Sequence, residues 1–342
     1  MAPENIRRIL LTRMKYIGDV VLTTPIIRAT RQTFPRAYIA YMGDKKAVSL
    51  LEHNPFLDEI IPYDFSSPSI FEQPRVALEL RRRKFDVVVD LFSNPRSALL
   101  TWASGAPVRI GKEVRGRGKL YTQTIGDVGS LTSAIEFHYA YVKPLGVQPT
   151  CWKTEVFLTE DEKRGARTYL QLNGVNTTRP IVAVHPGATW PNKLWLKENF
   201  VGLIDRLRAK LGVEIVMTPG PEDIELVKAI SSSCIAPVIA LPVLPVRQLA
   251  AVFSVCNVLV SNDCGPMHIG VAVGTKTIGI FGPEPPEVWF RYSPEDGHLA
   301  LFKKIECSPC RQTSCHRAGA GYLECMKLIS VDEVFEEVKK RL

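Results

Sequence analysis

The sequence SNDCGPMHIG, Ser261 to Gly270, lies between two apolar segments and decides the fold. Residues 255–260 and 275–281 have the apolar, β-branched composition of buried strands, and residues 267–273 predict a short helix between them. A strand, a tight turn, a helix and a second strand form the α/β arrangement that presents backbone N–H groups to a phosphate. Because Asp263 and His268 add a carboxylate and an imidazole, the segment predicts a site for a phosphorylated ligand with hydroxyl groups.

The same alternation extends along the chain in two runs. The first predicts strands at 6–12, 38–42, 59–63 and 86–92 and helices at 20–34, 75–84 and 134–144. The second predicts strands at 181–185, 214–218 and 238–241 and helices at 160–172, 198–211, 222–232 and 246–255. Apolar strands that alternate with helices predict parallel sheets covered on both faces. We therefore expect an α/β fold with two doubly wound Rossmann-like domains facing each other across a cleft.

The domain boundaries follow from this pattern. We expect an N-terminal domain over residues 1–155 and a C-terminal domain over residues 156–330. The amphipathic segment 331–342 predicts a final helix that packs back toward the N-terminal domain.

Composition limits the classes of protein to consider. Hydrophobic residues make up 46% and charged residues 23% of the 342 residues, as in globular proteins. No apolar run reaches the roughly 18 residues that span a bilayer, and the N-terminus lacks the pattern of an export signal. We expect a cytoplasmic protein.

The positive charge is concentrated in the first half. Residues 1–150 have 21 Lys and Arg and 14 Asp and Glu, whereas residues 151–342 have 22 and 21. This imbalance predicts an anionic partner for the first domain. The Gly-interleaved segment with Arg109, Lys112, Arg115 and Arg117 has the character of a mobile anion-binding loop. It lacks interleaved aromatics and no nucleic-acid module is recognisable, so nucleic acid is not expected.

Eight cysteines without an export signal argue against a disulfide framework. Four of them, Cys307, Cys310, Cys315 and Cys325, cluster near the C-terminus. Their spacing matches neither a paired zinc ribbon nor a ferredoxin pattern. Thiols packed near one another are the expected arrangement, with a metal site as the alternative.

Asp19 in the loop 13–19 has two interpretations. It follows Gly18 at the predicted start of the first helix, where an acid caps the helix. It is also placed to act as a general base, with Lys15 and Arg13 holding an anionic substrate. The loop does not have the dinucleotide-binding spacing GxGxxG.

Three loops of the second domain predict a diphosphate and sugar site. The loop 185–195 contains Gly187, Thr189 and Lys193, which suit a diphosphate. Glu222 starts the next helix and is a candidate ligand of ribose hydroxyls, and Leu244 is a candidate wall for a base. No D-x-D pair occurs in the sequence, so Lys193 and helix N-terminal N–H groups must neutralise the diphosphate.

With these residues the chain resembles glycosyltransferase family 9, the ADP-heptose:lipopolysaccharide heptosyltransferases, over nearly its whole length. The resemblance rests on the K-x-x-G-D loop (Lys15, Gly18, Asp19), the phosphate loop that ends in Lys193 and Trp195, and the S-x-D-x-G-x-x-H segment (Ser261, Asp263, Gly265, His268). It implies a GT-B fold, with the acceptor on the N-terminal domain and the nucleotide sugar on the C-terminal one. It also implies an inverting transferase that moves heptose from ADP-L-glycero-D-manno-heptose to a Kdo- or heptose-bearing lipid A acceptor.

The resemblance implies the following roles. Asp19 is the general base. Thr189, Lys193, Glu222, Leu244, Asp263, Gly265 and His268 bind the donor, and composition adds Lys15, Arg109, Lys112 and Arg115 as acceptor contacts. Ala188-Thr189 stands where some members have a Thr-Thr pair.

The implied enzyme needs no cofactor or metal, and its partners are the nucleotide sugar, an anionic glycolipid and the inner-leaflet membrane surface, to which it is peripheral. Two alternatives stay open. One is a GT-B enzyme that uses another nucleotide sugar, as a transferase or an epimerase. The other is a metal-bearing binding protein organised around the cysteine cluster.

Overall fold

The computed structural model describes residues 6–65, 72–126, 128–129 and 133–342. The chain divides into two compact units, Met1–Phe157 and Leu158–Leu342, two residues beyond the expected domain boundary. Each unit contains one six-stranded sheet in which every paired strand is parallel. No helix among the described residues is long and apolar enough to cross a bilayer.

The first unit has the strand order β3-β2-β1-β4-β5-β6. Its strands are β1 (Arg8–Arg13), β2 (Tyr38–Asp44), β3 (Glu59–Tyr63), β4 (Val87–Asp90), β5 (Val108–Lys112) and β6 (Gln123–Ile125). Its helices are α1 (Ile17–Leu22), α2 (Thr24–Thr33), α3 (Lys45–Val48), α4 (Glu72–Arg82), α5 (Pro95–Ala103) and α6 (Ala134–Val142). Chain order reverses between β1 and β4, which is where Rossmann-like sheets bind ligands.

The second unit repeats this topology with the order β12-β11-β10-β7-β8-β9. Its strands are β7 (Ile181–His185), β8 (Glu214–Met217), β9 (Ile239–Ala240), β10 (Val258–Asn262), β11 (Lys276–Phe281) and β12 (Leu299–Phe302). Its helices are α7 (Glu160–Leu172), α8 (Lys197–Leu211), α9 (Ile224–Ser233), α10 (Val246–Ser254), α11 (Gly265–Ala272), α12 (Pro286–Trp289), α13 (Glu324–Lys327) and α14 (Val331–Arg341). The corresponding reversal lies between β7 and β10.

Apolar strand residues form the centre of each unit. Leu10 and Val88 pack with Leu80 of α4 and Leu100 of α5 in the first unit. Val184 and Val260 are fully buried with α8 residues in the second. These cores hold the carboxyl ends of the strands in register, so the loops that follow them have defined positions.

Several sequence-based expectations need correction. The helix expected at 20–34 is two helices, because Thr23 ends α1 and Pro25 lies in the first turn of α2. The segment expected to be a mobile loop around Arg109 begins with strand β5. The final helix packs against α8 and adds Val334, Phe335 and Val338 to the core of the second unit. That it also packs toward the N-terminal domain stays a prediction.

Candidate functional site

Asp19 lies in the first turn of α1, directly after the carboxyl end of β1. Its Oδ2 accepts a hydrogen bond from the Tyr16 N–H at 3.1 Å, which caps the helix. Its Oδ1 accepts one from Nη2 of Arg13 at 2.5 Å. Both side chains are largely buried, with 14% of Asp19 and 12% of Arg13 exposed. The capping contact therefore exists, and the carboxylate is held in one orientation by two donors from its own loop.

Arg13 connects Asp19 to the neighbouring strand. Its Nη1 donates to the Leu91 carbonyl oxygen at 2.7 Å, just beyond β4. Its guanidinium also lies over the Phe92 ring, with the Cζ atom 4.9 Å from the ring centroid. The loops that follow β1 and β4 are thus joined at the switch point of the first sheet.

Asp90, the last residue of β4, was not predicted as a site residue. Its buried carboxylate accepts hydrogen bonds from the Ser97 hydroxyl at 2.8 Å, the Tyr121 hydroxyl at 2.7 Å and the Ser93 N–H at 2.9 Å. Burial raises the pKa of Asp90 despite these donors. The side chain organises the loop after β4 and is closed to solvent, so its role is to position other groups. An acid at the end of the apolar run VVVD was the signal for it in the sequence.

Aromatic rings hold several cations near these loops. Nζ of Lys15 lies 4.7 Å from the centroid of the Phe65 ring, and Cζ of Arg96 lies at the same distance from that ring. Nζ of Lys112 lies 5.2 Å from the Phe137 ring centroid. Lys15 follows β1, and Lys112 is the last residue of β5. Both therefore lie at the edge of the sheet formed by the carboxyl ends of the strands.

The arginines predicted as acceptor contacts differ from one another. Arg109 donates from Nε to the Leu120 carbonyl at 3.0 Å and from Nη1 to the Ala106 carbonyl at 2.6 Å. Two of the guanidinium N–H groups of Arg109 are therefore used in hydrogen bonds to the protein backbone. This arrangement does not favour Arg109 as an acceptor contact. Arg115 is exposed, and Arg117 reaches the Ser93 carbonyl at 3.3 Å.

In the second unit, Lys193 and Asp263 form an ion pair between the loops after β7 and β10. Nζ of Lys193 lies 2.7 Å from Oδ2 of Asp263, with 15% and 5% of the side chains exposed. Nζ also lies 4.4 Å from the centroid of the Trp190 ring. Burial raises the pKa of Asp263, and the Lys193 charge opposes that shift. Two residues predicted separately thus form one charged pair.

Asn262 is a further residue that the sequence did not single out. Its buried amide accepts from the Trp195 N–H at 3.1 Å and donates to the Pro186 carbonyl at 2.7 Å. Trp195, itself 1% exposed, donates from Nε1 to the Ile329 carbonyl at 3.0 Å. Asn262 therefore fixes both ends of the loop that contains Lys193.

His268 lies on α11, four positions after the Cys264 N-cap, and is buried. Its Nδ1 is 2.7 Å from the Tyr292 hydroxyl. Burial, with the charge of Lys193, lowers the pKa of His268 to about 3, so the ring is neutral at physiological pH. Gly265 is the first residue of this helix, whose N-terminal N–H groups lie beside Asp263 in the chain.

Gly187 packs directly against Asp223. A Cβ atom at Gly187 would lie 1.9 Å from Oδ2 of Asp223, so any other residue there requires the Asp223 side chain to move. The same carboxylate accepts the Gly220 N–H at 3.1 Å, and burial raises the pKa of Asp223. The predicted Glu222 is exposed instead, so Asp223 is the carboxylate that the structure brings to the phosphate loop.

The other predicted donor residues lie on the expected loops. Thr189 is exposed and Leu244 is half-buried between β9 and α10. Their roles as donor contacts stay predictions.

The four C-terminal cysteines line one small cavity with His316. Burial raises the pKa of Cys325, and its three neighbouring thiols add to that shift. Among the described residues, no group of three or more His, Cys, Asp or Glu side chains has the geometry of a metal site. The segment contacts the phosphate loop, since the Asn192 amide donates to the Gln312 carbonyl at 2.7 Å.

Comparison with known proteins gives a consistent result. The sequence model of glycosyltransferase family 9 (heptosyltransferase) matches residues 74–320. Lipopolysaccharide heptosyltransferase 3 of Escherichia coli is 26% identical over 295 residues, which cover 82% of this chain and 85% of the relative. Lipopolysaccharide heptosyltransferase 2 of Escherichia coli K12 is 24% identical over 361 residues, with 98% of each chain covered.

Solved structures agree in fold. A family 9 glycosyl transferase from Veillonella parvula superposes with a TM-score of 0.86 at 26% identity, covering 99% of this chain and 97% of that one. The ADP-heptose lipopolysaccharide heptosyltransferase II of Escherichia coli superposes with a TM-score of 0.80 at 21% identity, covering 97% and 98%. The two Rossmann-like sheets therefore belong to a GT-B fold.

Proposed function

This chain belongs to glycosyltransferase family 9, and from that premise we propose that it transfers a heptose from ADP-L-glycero-D-manno-heptose to the inner core of lipopolysaccharide. Its curated relatives are lipopolysaccharide heptosyltransferases matched over most of their length. The acceptor is a Kdo- or heptose-bearing lipid A. The observation that carries the proposal is the Lys193–Asp263 ion pair at the switch point of the second sheet.

The second unit binds the donor in this proposal. Lys193 lies in the loop after β7, and the N-terminus of α11 adds backbone N–H groups that favour an anion. Asp263 orients the Lys193 ammonium, and its carboxylate oxygens accept hydrogen bonds from hydroxyl groups of the sugar. Thr189, Gly265 and the neutral His268 complete the phosphate and sugar contacts. Glu222 or its neighbour Asp223 binds the ribose, and Leu244 packs on the adenine.

The reaction is a single displacement with inversion. Asp19 accepts the proton of the acceptor hydroxyl while that oxygen bonds to the anomeric carbon of the heptose. The bond from the anomeric carbon to the ADP oxygen breaks, and its electron pair stays on ADP. Lys193 and the α11 N–H groups stabilise the negative charge that grows there.

The first unit binds the anionic acceptor. Lys15 lies after β1 in the loop of Asp19, and Lys112 is the last residue of β5. Arg96 shares the Phe65 ring with Lys15 and joins this set. Arg115 is exposed and available to phosphate or carboxylate groups, whereas the bonds of Arg109 to backbone carbonyls argue for a structural role.

No metal takes part in the proposed transfer. The sequence has no D-x-D pair to hold a metal-bridged diphosphate, and Lys193 with the α11 N-terminus supplies positive charge. The measurable expectation is that EDTA leaves the transfer rate unchanged. Metal analysis of the same preparation tests the cysteine-centred alternative, which requires about one bound zinc or iron.

The enzyme acts at the cytoplasmic face of the inner membrane as a peripheral protein, with no nucleic-acid partner. The excess of positive charge in residues 1–150 suits an anionic glycolipid and its membrane.

The first test is a binding titration with ADP, UDP, GDP and CMP in the absence of metal. Preference for ADP supports the heptose donor, and ADP-heptose with Kdo-bearing acceptors then tests transfer. Preference for UDP or GDP would refute the donor assignment. A product analysis that finds an epimerised nucleotide sugar, with no glycolipid product, would favour the epimerase alternative.

A further inference from the structure

The outward face of α5 is apolar. Pro95, Leu99 and Trp102 are exposed at spacings of four and three residues, so they follow one side of the helix. The exposed fractions are 45% for Leu99 and 53% for Trp102, whereas Leu100 on the inner side is 1% exposed. Surface helices of globular proteins usually present polar residues to solvent. The exposed apolar side of α5 therefore indicates a surface that binds a partner.

The neighbouring helix α4 adds positive charge and one more apolar residue. Leu78 is 50% exposed, and Arg75 and Arg82 lie three and four residues from it on the same face. Arg83 is paired with Glu59 and Glu79, whereas Arg81 and Arg82 have no carboxylate within ion-pair distance among the described residues.

The two helices lie side by side. α4 packs against α5, and the Arg81 side chain lies beside Gly105, where a Cβ atom would be 3.9 Å from the arginine Cγ. The Gly105 N–H in turn donates to the Trp102 carbonyl at 3.2 Å. We call Leu78, Arg81, Arg82, Leu99 and Trp102 the α4–α5 ridge.

The α4–α5 ridge begins next to the candidate acceptor site. Arg96, the second residue of α5, lies over the Phe65 ring that also holds Lys15. Trp102 is six residues further, about 9 Å along the helix. A lipid-borne substrate resting on the ridge would therefore have its sugars near the loop of Asp19.

We propose that the α4–α5 ridge binds the surface of an anionic lipid bilayer. Trp and Leu side chains insert at the level of the headgroups, and adjacent arginines attract anionic lipids. The charge of the ridge is complementary to such a surface, which favours a membrane over a second, equally basic copy of the chain. The purpose of the surface rests on the proposed function, but the binding is measurable without substrate.

The test is cosedimentation of the full-length protein with vesicles. The protein sediments with phosphatidylethanolamine–phosphatidylglycerol vesicles and not with phosphatidylcholine vesicles. The substitutions Arg81→Ser and Arg82→Ser lower the partition coefficient about fivefold each. The pair Leu99→Ser and Trp102→Ser lowers it about tenfold. Thermal unfolding followed by circular dichroism verifies that each variant is folded.

Matched substitutions on α7 serve as controls. Arg164→Ser with Arg167→Ser removes two exposed arginines, and Leu172→Ser removes a side chain that is 82% exposed. These variants sediment like the unchanged protein. Equal sedimentation of the ridge variants, or equal binding to neutral vesicles, would overturn the proposal. So would a dimer in solution that the Leu99 and Trp102 substitutions convert to a monomer.

The proposed function has a separate readout. Ridge variants transfer heptose to a lipid-free oligosaccharide acceptor at the unchanged rate and lose rate on an acceptor embedded in anionic vesicles. Absence of transfer by every protein, including the unchanged one, refutes the enzyme assignment and leaves the vesicle result standing.

Discussion

Nζ of Lys193 lies 2.7 Å from Oδ2 of Asp263, although the two residues are 70 positions apart and come from loops after different strands. Both side chains are largely buried, so each charge depends on the other for compensation. The pair joins the loops after β7 and β10 at the switch point of the second sheet. Under the proposed function the same ammonium also binds the diphosphate, so stability and donor binding would be linked.

Replacing Lys193 with Ala leaves the Asp263 carboxylate buried without its partner. We expect a loss of about 3 kcal/mol in the free energy of unfolding, because an uncompensated buried charge is costly. ADP affinity falls at least tenfold, because a charged hydrogen bond to the diphosphate is lost. Urea unfolding and ADP titration measure the two effects.

The single variant Asp263→Asn and the double variant Lys193→Ala with Asp263→Asn complete the double-mutant cycle for this pair. The loss of stability in the double variant is smaller than the sum of the single losses by more than about 1 kcal/mol. Lys197→Ala, in an exposed pair with Glu198 at 3.9 Å, is the control and leaves ADP affinity unchanged. Additive losses would show that the pair is not coupled.

Asp19→Asn tests the general base. The amide oxygen of Asn still accepts a hydrogen bond from the Tyr16 N–H, so α1 keeps its cap. The carboxylate that would accept the proton is lost. We expect turnover to fall by a factor of roughly 10² to 10⁴ with ADP affinity unchanged. The control Asp64→Asn, which removes an acid paired with Lys45, has normal turnover. Normal turnover in Asp19→Asn, or loss of ADP binding, argues against this role.

Gly187→Ala tests the fit between the phosphate loop and Asp223. The new methyl group would overlap the Asp223 carboxylate, so the Asp223 side chain or the loop must shift, and we expect ADP affinity to fall about tenfold. Adding Asp223→Gly relieves the overlap and restores part of the affinity. Gly202→Ala on α8, with its nearest neighbour 3.6 Å away, is the control. If Asp223→Gly does not restore ADP affinity, the loss in Gly187→Ala does not come from overlap with Asp223.

His185 links stability to pH. Burial lowers its pKa to about 4 from the ordinary value of 6.5, so unfolding takes up a proton between these values. Stability therefore decreases as pH falls from 6.5 toward 4, by about 1.4 kcal/mol per pH unit for this residue. Urea unfolding at pH 6.5, 5.5 and 4.5 measures the slope. In His185→Gln the amide can still reach the Thr218 hydroxyl, and the slope of stability against pH falls by about 1.4 kcal/mol per pH unit.

The central strands were predictable because they are apolar and alternate with helices. Strands β5, β6 and β12 were missed because β5 and β6 are partly polar, as VRIGK and QTI show, and β12 is a four-residue edge strand. Helix α5 was missed because it is short and its outward face is apolar, which obscures the helical period. The chain breaks between α1 and α2 at Thr23 and Pro25. The break was missed because the helical pattern of apolar residues continues through it.

Local sequence identified the loops of the site but not how they meet. Lys193 and Asp263 were both named, yet their ion pair depends on the order of β7 and β10 in the sheet. Asp90 receives bonds from Thr12 and Tyr121, 78 and 31 positions away, and no local pattern reports such contacts. Glu222 and Asp223 are adjacent acids, and only the packing against Gly187 tells them apart.

The shared strand order of the two units has an evolutionary consequence. The same topology occurs twice, and in each copy some candidate residues lie in the loops after the first and fourth strands. Under the proposed function, changes of donor preference would fall in the half of the gene that encodes the second unit, and changes of acceptor recognition in the other half. On that proposal, chimeras joined near residue 157 would combine the donor unit of one transferase with the acceptor unit of another and so make new glycan linkages.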